Sequence, residues 1–341
     1  MYKESDVLVE VAWIAVSTIC TLIMFSCGSE PTDPDWWETP PPPDSIAMSI
    51  QVGDYPWGAC ILPSGEYVYV ANQNDGTVSV IDVSTDTVSN TIDIGSNGYG
   101  TAVTPTGDLV FISHGSTVSV IETSSQQKTN EIPSGGSGAR AMSMLPPYGE
   151  YLYVTNYQSQ TVGVIRTSDQ TLVDTIGVGV WPEGITCDPT GSYVYVVNSG
   201  SGSNPDGSIS VIDASSNTVI HTIESIDGSP GIAHSDVGHT LYVGNFHWNS
   251  IFVINTYDFD FTITDTIPVA ASPLNIRHSP WDDFLFVACG SGQAVDIIDT
   301  SSRSVVSSVP MGDRPFGIAF SPQETRVYVA CRDNDVVNVL E

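Results

Sequence analysis

Basic residues are scarce in this sequence. Its 341 residues include 9 Lys and Arg against 39 Asp and Glu, which gives a formal net charge of -30 at pH 7. A surface of this sign repels phosphate backbones, so we expect no nucleic-acid partner. The acidity is typical of a solvated, salt-tolerant surface, and cation capture is the alternative. Hydrophobic residues make up 41% of the chain, which is enough to bury a large core.

Cysteine motifs of known chemistry are also missing. The six cysteines form no CxxC pair and no CxxCH motif, which excludes zinc-ribbon, thioredoxin-like and c-type haem sites. Cys60, Cys187, Cys289 and Cys331 either pair in an oxidising compartment or stay as buried thiols. No histidine lies beside a GxSxG nucleophile motif. We therefore predict no cofactor, no metal and no catalytic residue.

Long apolar runs are absent except at the N-terminus. The run 11–26 is too short for a confident membrane span but suits a signal peptide. It is followed by MFSCGSE, which resembles a bacterial lipobox and implies lipidation of Cys27. We expect a signal peptide at 1–26 and a lipid-anchored, Pro- and acid-rich stalk at 27–45. A plainly cleaved secretory leader and an uncleaved anchor are the alternatives. The protein is thus predicted to be exported, as an outer-membrane or cell-surface lipoprotein or in the periplasm.

The rest of the chain repeats itself. Aromatic residues recur at intervals of 42, 42, 42, 47, 44 and 42 residues. They are Tyr69, Phe111, Tyr153, Tyr195, Tyr242, Phe286 and Tyr328. Each is followed by a second signature such as TVSVID, and most are preceded by a Gly, a short apolar strand and a Pro. Seven copies at this period predict a β-propeller.

Each copy contains four short runs of β-branched or alternating residues separated by turn residues. We name these strands A to D from the axis outward. In the fourth copy they are predicted at 184–188, 193–198, 208–213 and 218–224. The last copy ends after strand C, whereas 46–52 (IAMSIQV) is a lone strand D. We therefore predict an all-β, seven-bladed propeller over 46–341, with four antiparallel strands per blade and the last blade closed by the N-terminal strand.

The repeated motif has a known counterpart. YVTN occurs at 153–156, with YVAN at 69–72, YVVN at 195–198 and YVGN at 242–245. These residues resemble the YVTN-repeat β-propeller family over 46–341. The resemblance implies a propeller of surface-layer, cell-surface or periplasmic type, with lactonases and dehydrogenase subunits as more distant relatives. It implies no particular activity, because propellers serve many functions.

The repeat predicts which loops share a face. The D-to-A and B-to-C loops should lie together on one face, which we call the top face. They carry exposed aromatic and basic residues, the types enriched at recognition surfaces. The candidate binding residues are Tyr55, Trp57, Tyr99, Arg140, Tyr157, Trp181, Glu183, His247, Trp248, Arg314, Phe316 and Arg332. The alternative is that the aromatic side chains only plug the mouth of the channel.

Two further groups were candidates for chemistry. His234, His278 and Cys187 share one strand A position in successive blades, but the other blades have apolar residues there, which predicts core side chains. Arg277 belongs to the alternating set of mostly small residues that we expect to face the channel. It should need a carboxylate or water partner, for which Glu183 is a candidate.

Together these features predict a non-catalytic binding or interaction propeller. Its ligand is an unidentified protein, glycan or small molecule, and its only membrane contact is the lipid anchor. An enzyme or enzyme subunit of lactonase or quinoprotein dehydrogenase type is one alternative, and a structural surface-layer component is another.

Overall fold

The computed structural model describes residues 42–200, 207–226, 228–235, 239–280, 284–322 and 326–341. The predicted leader, the predicted lipidation site Cys27 and nearly all of the predicted stalk lie outside these ranges, as does most of the long loop 199–207. Residues Pro41–Glu341 form one compact unit.

Twenty-eight strands form seven four-stranded antiparallel sheets, the blades of a propeller. Blade 1 contains β2 Pro56–Ile61, β3 Tyr67–Asn72, β4 Thr77–Asp82 and β5 Thr87–Asp93. Blade 2 contains β6 Gly98–Val103, β7 Leu109–His114, β8 Thr117–Glu122 and β9 Gln127–Pro133. Blade 3 contains β10 Ala139–Met144, β11 Tyr151–Asn156, β12 Thr161–Arg166 and β13 Thr171–Gly177. Blade 4 contains β14 Pro182–Cys187, β15 Tyr193–Asn198, β16 Ser208–Asp213 and β17 Thr218–Glu224.

The remaining blades repeat the pattern. Blade 5 contains β18 Gly228–His234, β19 Thr240–Asn245, β20 Ser250–Asn255 and β21 Ile263–Pro268. Blade 6 contains β22 Pro273–His278, β23 Phe284–Cys289, β24 Ala294–Asp299 and β25 Ser304–Pro310. Blade 7 contains β26 Pro315–Phe320, β27 Val327–Cys331 and β28 Val336–Leu340, and its outer strand is β1 Ile46–Gln51. The helical structure in the described ranges is one short 3-10 turn, Tyr257–Phe259, and no helix there is long and apolar enough to cross a membrane.

The seventh blade closes as the sequence predicts. Strand β1 pairs antiparallel with β28, with Ile50 opposite Val337 and Gln51 opposite Val336. The Ser49 hydroxyl also donates a hydrogen bond to Asn338 Oδ1 at 2.6 Å. The ring is therefore closed by pairing between the two ends of the propeller domain.

Burial explains why a chain of such short strands folds at all. The two middle strands of a blade are almost wholly buried, for instance Val68–Asn72 in β3. Seven hydrophobic clusters form the core, each between two adjacent blades. The repeated aromatic position lies in these clusters, with exposures of at most 5%. Because both faces of every sheet are apolar, a blade is stable only when neighbours cover it on both sides.

Glycine allows the inner strands to approach each other at the top of the channel. A Cβ on Gly58 would clash with the carbonyl oxygen of Tyr99, and one on Gly184 would clash with that of Pro230. A Cβ on Gly317 would lie 2.5 Å from the carbonyl oxygen of Trp57. In blades 1, 2, 4 and 7, the repeated glycine thus brings the inner strand against the backbone of the next blade.

One expectation about the channel was too simple. Side chains alternate between two sets of positions along each inner strand. We expected the set that contains Cys60, Ala102 and Arg277 to face the channel, and the residues that alternate with them to face the core. Residues of both sets line it, for example Cys60 and Ile61 together. The reason is that strand A is the innermost edge of its sheet, so its backbone edge faces the axis while its side chains point toward the two neighbouring blades.

Candidate ligand-binding site

A cavity of about 360 Å³ lies at the top of the channel, where the seven inner strands begin. The residue before the repeated glycine position projects into it from six of the seven blades. These residues are Trp57, Arg140, Glu183, Pro230, Leu274 and Phe316. The equivalent residue of blade 2, Tyr99, packs behind Trp57 with an edge-on ring contact of 5.3 Å. The volume falls at the lower end of the range typical of small-molecule sites.

One side of the cavity is a cluster of rings around Arg332. This residue follows β27, in the B-to-C turn of blade 7. Its guanidinium carbon lies 4.0 Å from the ring centroid of Trp57, 4.4 Å from that of Tyr55 and 5.5 Å from that of Phe316. It donates a hydrogen bond to the Tyr55 hydroxyl, while its Nε is buried without a hydrogen-bond partner in the described part of the chain. Burial lowers the pKa of Arg332, and the Tyr55 contact opposes that shift.

A second cluster forms around Arg140. Its guanidinium lies 4.0 Å from the ring centroid of Tyr157, which stacks on Trp181 at 5.5 Å. Arg140 also forms an ion pair with Glu183, whose other oxygen accepts a hydrogen bond from the Ser199 hydroxyl at 2.8 Å. The carboxylate is therefore fully engaged within the cavity wall.

Two aromatic residues of these clusters have unusual backbone conformations. Tyr55 and Trp181 have φ values of 61° and 55°, in the left-handed region. The equivalent residue of blade 3 is Gly138, with φ 75°. Left-handed backbone costs a non-glycine residue about 1 kcal/mol or more. Large side chains therefore stand where the backbone alone would favour glycine.

The opposite side of the cavity is mostly apolar, although Arg277 also lines the cavity from this side. This side is formed by blades 5 and 6, through Pro230, Ile232, Leu274 and Ile276. Phe246, from the B-to-C turn of blade 5, adds an exposed ring at the rim beside His247. The cavity therefore has one cationic and aromatic side and one mostly aliphatic side.

The structure brings most of the predicted site residues together. Trp57, Arg140, Glu183, His247, Phe316 and Arg332 line the cavity, and Tyr55, Tyr99, Tyr157 and Trp181 support them. Two predicted residues lie outside it. Trp248 is 72% exposed and packs edge-on against Phe252 at 5.9 Å. Arg314 is exposed and lies 3.9 Å from Asp333.

Sequence reasoning missed part of the lining. Phe246 lines the cavity although the neighbouring Trp248 seemed the stronger candidate. Ile232 and Ile276 also line it, although the sequence analysis named neither as a candidate. No local pattern distinguishes them from other core residues, because their exposure depends on the distance between neighbouring blades.

Glu183 is not the partner of Arg277, contrary to our expectation. Glu183 pairs with Arg140 and Ser199, and no described residue forms a hydrogen bond or ion pair with Arg277. Arg277 instead lies lower in the channel, where its side chain is exposed to the channel space.

The buried histidines and cysteine have structural contacts. His234 is 6% exposed, and its Nδ1 is 2.8 Å from the Ser235 carbonyl oxygen, with its ring stacked on Tyr195. Cys187 lies in the core cluster between blades 3 and 4. The described cysteines Cys60, Cys187, Cys289 and Cys331 are all free thiols. Within the described ranges, no three His, Cys, Asp or Glu side chains are placed to hold a metal ion.

Neither a protein-family model nor a curated protein matches the sequence. Solved structures do resemble the fold. Hydrazine synthase of Kuenenia stuttgartiensis superposes with a TM-score of 0.72 at 18% identity, covering 84% of this chain and 96% of that one. The β-propeller domain of Myceliophteria thermophila Cps50 (Swd1) gives a TM-score of 0.71 at 13% identity, covering 87% and 99%. The predicted seven-bladed propeller is thereby confirmed, and at these identities the likeness shows the fold alone.

Proposed function

We propose that this protein is an exported, non-catalytic propeller of the YVTN-repeat, cell-surface type that binds a ligand in the top-face cavity. The observation that carries the proposal is the charge of that cavity. Three of the nine Lys and Arg residues line it, namely Arg140, Arg277 and Arg332, with Glu183 as the sole carboxylate among the described lining residues. A positive cavity in a chain of net charge -30 concentrates ligands that the rest of the surface repels.

The arrangement of the rings supports the same function. Tyr55 packs against Trp57, and Trp181 stacks on Tyr157, so these rings hold one another in place. The guanidinium groups of Arg140 and Arg332 lie over aromatic rings, so these two side chains are already ordered before a ligand binds.

Two variants test whether the cavity binds a ligand. We would screen the purified chain against glycan, peptide and small-molecule arrays, and then measure the affinity of the hits for Trp57→Ala and Arg332→Gln. Each change should weaken binding at least tenfold, because each removes one wall of the cavity. Tyr148→Ala is the matched control, since Tyr148 is 83% exposed and lies in the A-to-B turn of blade 3.

The plug alternative predicts the opposite pattern. If the rings serve only to close the channel, Trp57→Ala and Arg332→Gln should lower the unfolding temperature sharply and leave every binding signal unchanged. Reproducible turnover of a lactone would contradict the non-catalytic part of the proposal. Ordered self-assembly of the purified chain without ligand binding would favour a surface-layer component.

Export and anchoring rest on the N-terminal sequence. Replacing Cys27 by Ser removes the thiol that would carry the lipid. In a bacterial host, the wild-type chain should fractionate with membranes and incorporate labelled palmitate, and Cys27→Ser should do neither. Membrane association that survives this substitution would indicate an uncleaved anchor.

A further inference from the structure

Arg277 lies at the waist of the channel, between two cavities. It is in the inner strand of blade 6, β22, and lines both the top-face cavity and a second cavity of about 400 Å³ below it. The other residues that line both cavities are Ala59, Thr101 and Met142. A molecule that occupies the channel therefore meets the guanidinium from either side.

Among the described residues, none forms an ion pair or a hydrogen bond with this arginine. Nearly every other Lys and Arg in the described ranges is within ion-pair distance of a carboxylate: Lys128, Arg140, Arg166, Arg303, Arg314 and Arg326. Arg332 has the Tyr55 hydroxyl and the surrounding rings. Arg277 has neither a carboxylate nor a hydrogen-bond acceptor among the described residues. In a chain with 39 Asp and Glu, a cation without a carboxylate is a notable exception.

Among the described residues that line the lower cavity, none carries a negative charge. Protein encloses the channel around the guanidinium, and this enclosure lowers the pKa of Arg277. The Cys60 thiol lines the same cavity and interacts electrostatically with Arg277. Burial raises the pKa of Cys60 to about 12, so the thiol stays neutral at physiological pH. A guanidinium enclosed in this way gains most from an anion that brings its own charge into the channel.

The walls define the rest of the ligand. The lower cavity is lined mainly by apolar side chains, including Ile61, Val103, Met144 and Phe320. The upper cavity adds Ile276 and Leu274 on the same side as Arg277. Such walls disfavour a strongly hydrated inorganic anion and favour an apolar group attached to the anionic one. Guanidinium presents two parallel N–H groups, which match a carboxylate.

We propose that Arg277 binds the carboxylate of a small organic acid whose apolar part occupies the channel. This inference rests on the proposed function, because the ligand would reach Arg277 through the top-face cavity. It specifies the class of ligand, a monocarboxylate with an aromatic or aliphatic body, which the proposed function leaves open.

The test compares charged and neutral probes of the same shape. Binding of benzoate and hexanoate, and of benzamide and hexanamide, is measured by calorimetry on the full chain at constant ionic strength. Thermal unfolding is followed in parallel, since a ligand that binds the folded state raises the midpoint. We expect saturable binding of the carboxylates and at least tenfold weaker binding of the amides. Sodium sulfate should bind at least tenfold more weakly than benzoate.

Substitutions test whether Arg277 is responsible for the carboxylate binding. Arg277→Gln should weaken carboxylate binding at least tenfold, and Arg303→Gln, which removes an exposed arginine of the outer C-to-D turn of blade 6, should leave it unchanged. Without ligand, Arg277→Gln should unfold at or above the wild-type temperature, because no protein partner is lost. If Arg277→Gln does not fold, Arg277→Lys keeps the charge without the two parallel N–H groups and should still weaken binding measurably.

Failure of this inference differs from failure of the proposed function. Equal binding of benzoate and benzamide, or benzoate binding that Arg277→Gln leaves intact, overturns the assignment of Arg277. Sulfate that binds as well as benzoate overturns the organic class of ligand. In each case, the proposed function still holds if the wild-type chain binds a ligand and Trp57→Ala abolishes that binding. If no compound in any array binds the wild-type chain, both proposals are overturned.

Discussion

At the scale of single residues, the repeat shows which side chains serve the fold. The hydroxyl of Tyr153 donates a hydrogen bond to Asn217 Oδ1 in the next blade at 2.9 Å. The hydroxyl of Tyr69, at the equivalent position of blade 1, is buried and has no hydrogen-bond partner among the described residues. Phe111 and Phe286 occupy the same position without a hydroxyl. Every blade thus has an aromatic side chain at this position, whereas a hydroxyl on it stabilises the fold only where the next blade offers an acceptor.

This difference predicts that replacing Tyr by Phe has different effects on the free energy of unfolding at the two positions. Tyr153→Phe should lower the free energy of unfolding by about 1 kcal/mol, because it removes a satisfied hydrogen bond and leaves Asn217 unpaired there. Tyr69→Phe should leave the free energy of unfolding unchanged or raise it slightly. Urea unfolding of both variants provides the measurement, and each variant serves as the control for the other. Equal losses in the two would contradict the contact between blades.

His114 stands where blades 1, 3, 4 and 5 have the Asn of the repeat. Its ring nitrogens lie 2.7 Å from the hydroxyls of Ser96 and Ser119, and burial lowers its pKa below the ordinary 6.5. The unfolded chain therefore binds a proton more readily than the folded one, and stability is lost as the pH falls below about 6.5.

His114→Asn should flatten this dependence. Asn fits the position, since Asn72 donates to the equivalent Thr77 and Ser79 at 2.9 Å. Between pH 7 and pH 5, the free energy of unfolding should fall less in the variant than in the wild type, as measured by urea unfolding at each pH. Superimposable pH profiles would show that His114 is not the group that titrates.

At the scale of elements, the outer strands share one anchoring position. The penultimate residue of each outer strand is its one buried residue among exposed or half-buried neighbours. These residues are Ile50, Ile92, Ile132, Ile176, Ile223, Ile267 and Val309. Strand β1 follows this rule although it comes from the opposite end of the chain, so the same packing that holds the other outer strands also closes the ring.

Closure can be tested within β1 itself. Ile50→Ala should lower the free energy of unfolding by about 2–4 kcal/mol, because Ile50 is 5% exposed and packs in the cluster between blades 7 and 1. Met48→Ala, on the same strand at 40% exposure, should change it by less than about 0.5 kcal/mol. Chemical unfolding followed by tryptophan fluorescence measures both. Equal and small effects would mean that β1 contributes little to closure.

At the scale of the whole molecule, charge of one sign opposes the compact state. With a net charge of -30, self-repulsion is strong at low salt, where the screening length is about 30 Å at 0.01 M and about 3 Å at 1 M. The propeller nevertheless holds positive charge inside its channel. The molecule therefore combines a negatively charged exterior, which repels anions, with a channel that attracts them.

Raising sodium chloride from about 0.01 M to about 1 M should therefore raise the unfolding temperature by at least about 2 °C, the shift that about 1 kcal/mol produces in a domain of this size. Calorimetric scans across the salt series provide the measurement. The same series on Arg277→Gln separates screening from chloride binding in the channel, because screening is expected to persist in that variant. A midpoint that falls with salt would show that ion pairs, rather than repulsion, dominate.

The sequence by itself determined the architecture. Strand alternation, turn residues and the 42-residue interval are local, so the seven blades, the closing strand and three of the four strands of blade 4 follow from the sequence. The closing strand was predicted at 46–52 and spans 46–51. The first strand of blade 4 was predicted at 184–188 and spans 182–187, because its pairing with β15 continues past an irregularity to Pro182. The residues around the channel mouth were also predictable, since their position relative to the repeated glycine fixes where they lie along the channel axis.

Only the tertiary structure decided which side chains meet. Glu183 pairs with Arg140 and not with Arg277, Phe246 enters the cavity in place of Trp248, and both side-chain registers line the channel. These outcomes depend on the spacing between blades and on the side-chain conformations of residues far apart in the chain. A local pattern specifies where a residue stands along its strand, whereas its partner is set by the neighbouring blade across the channel.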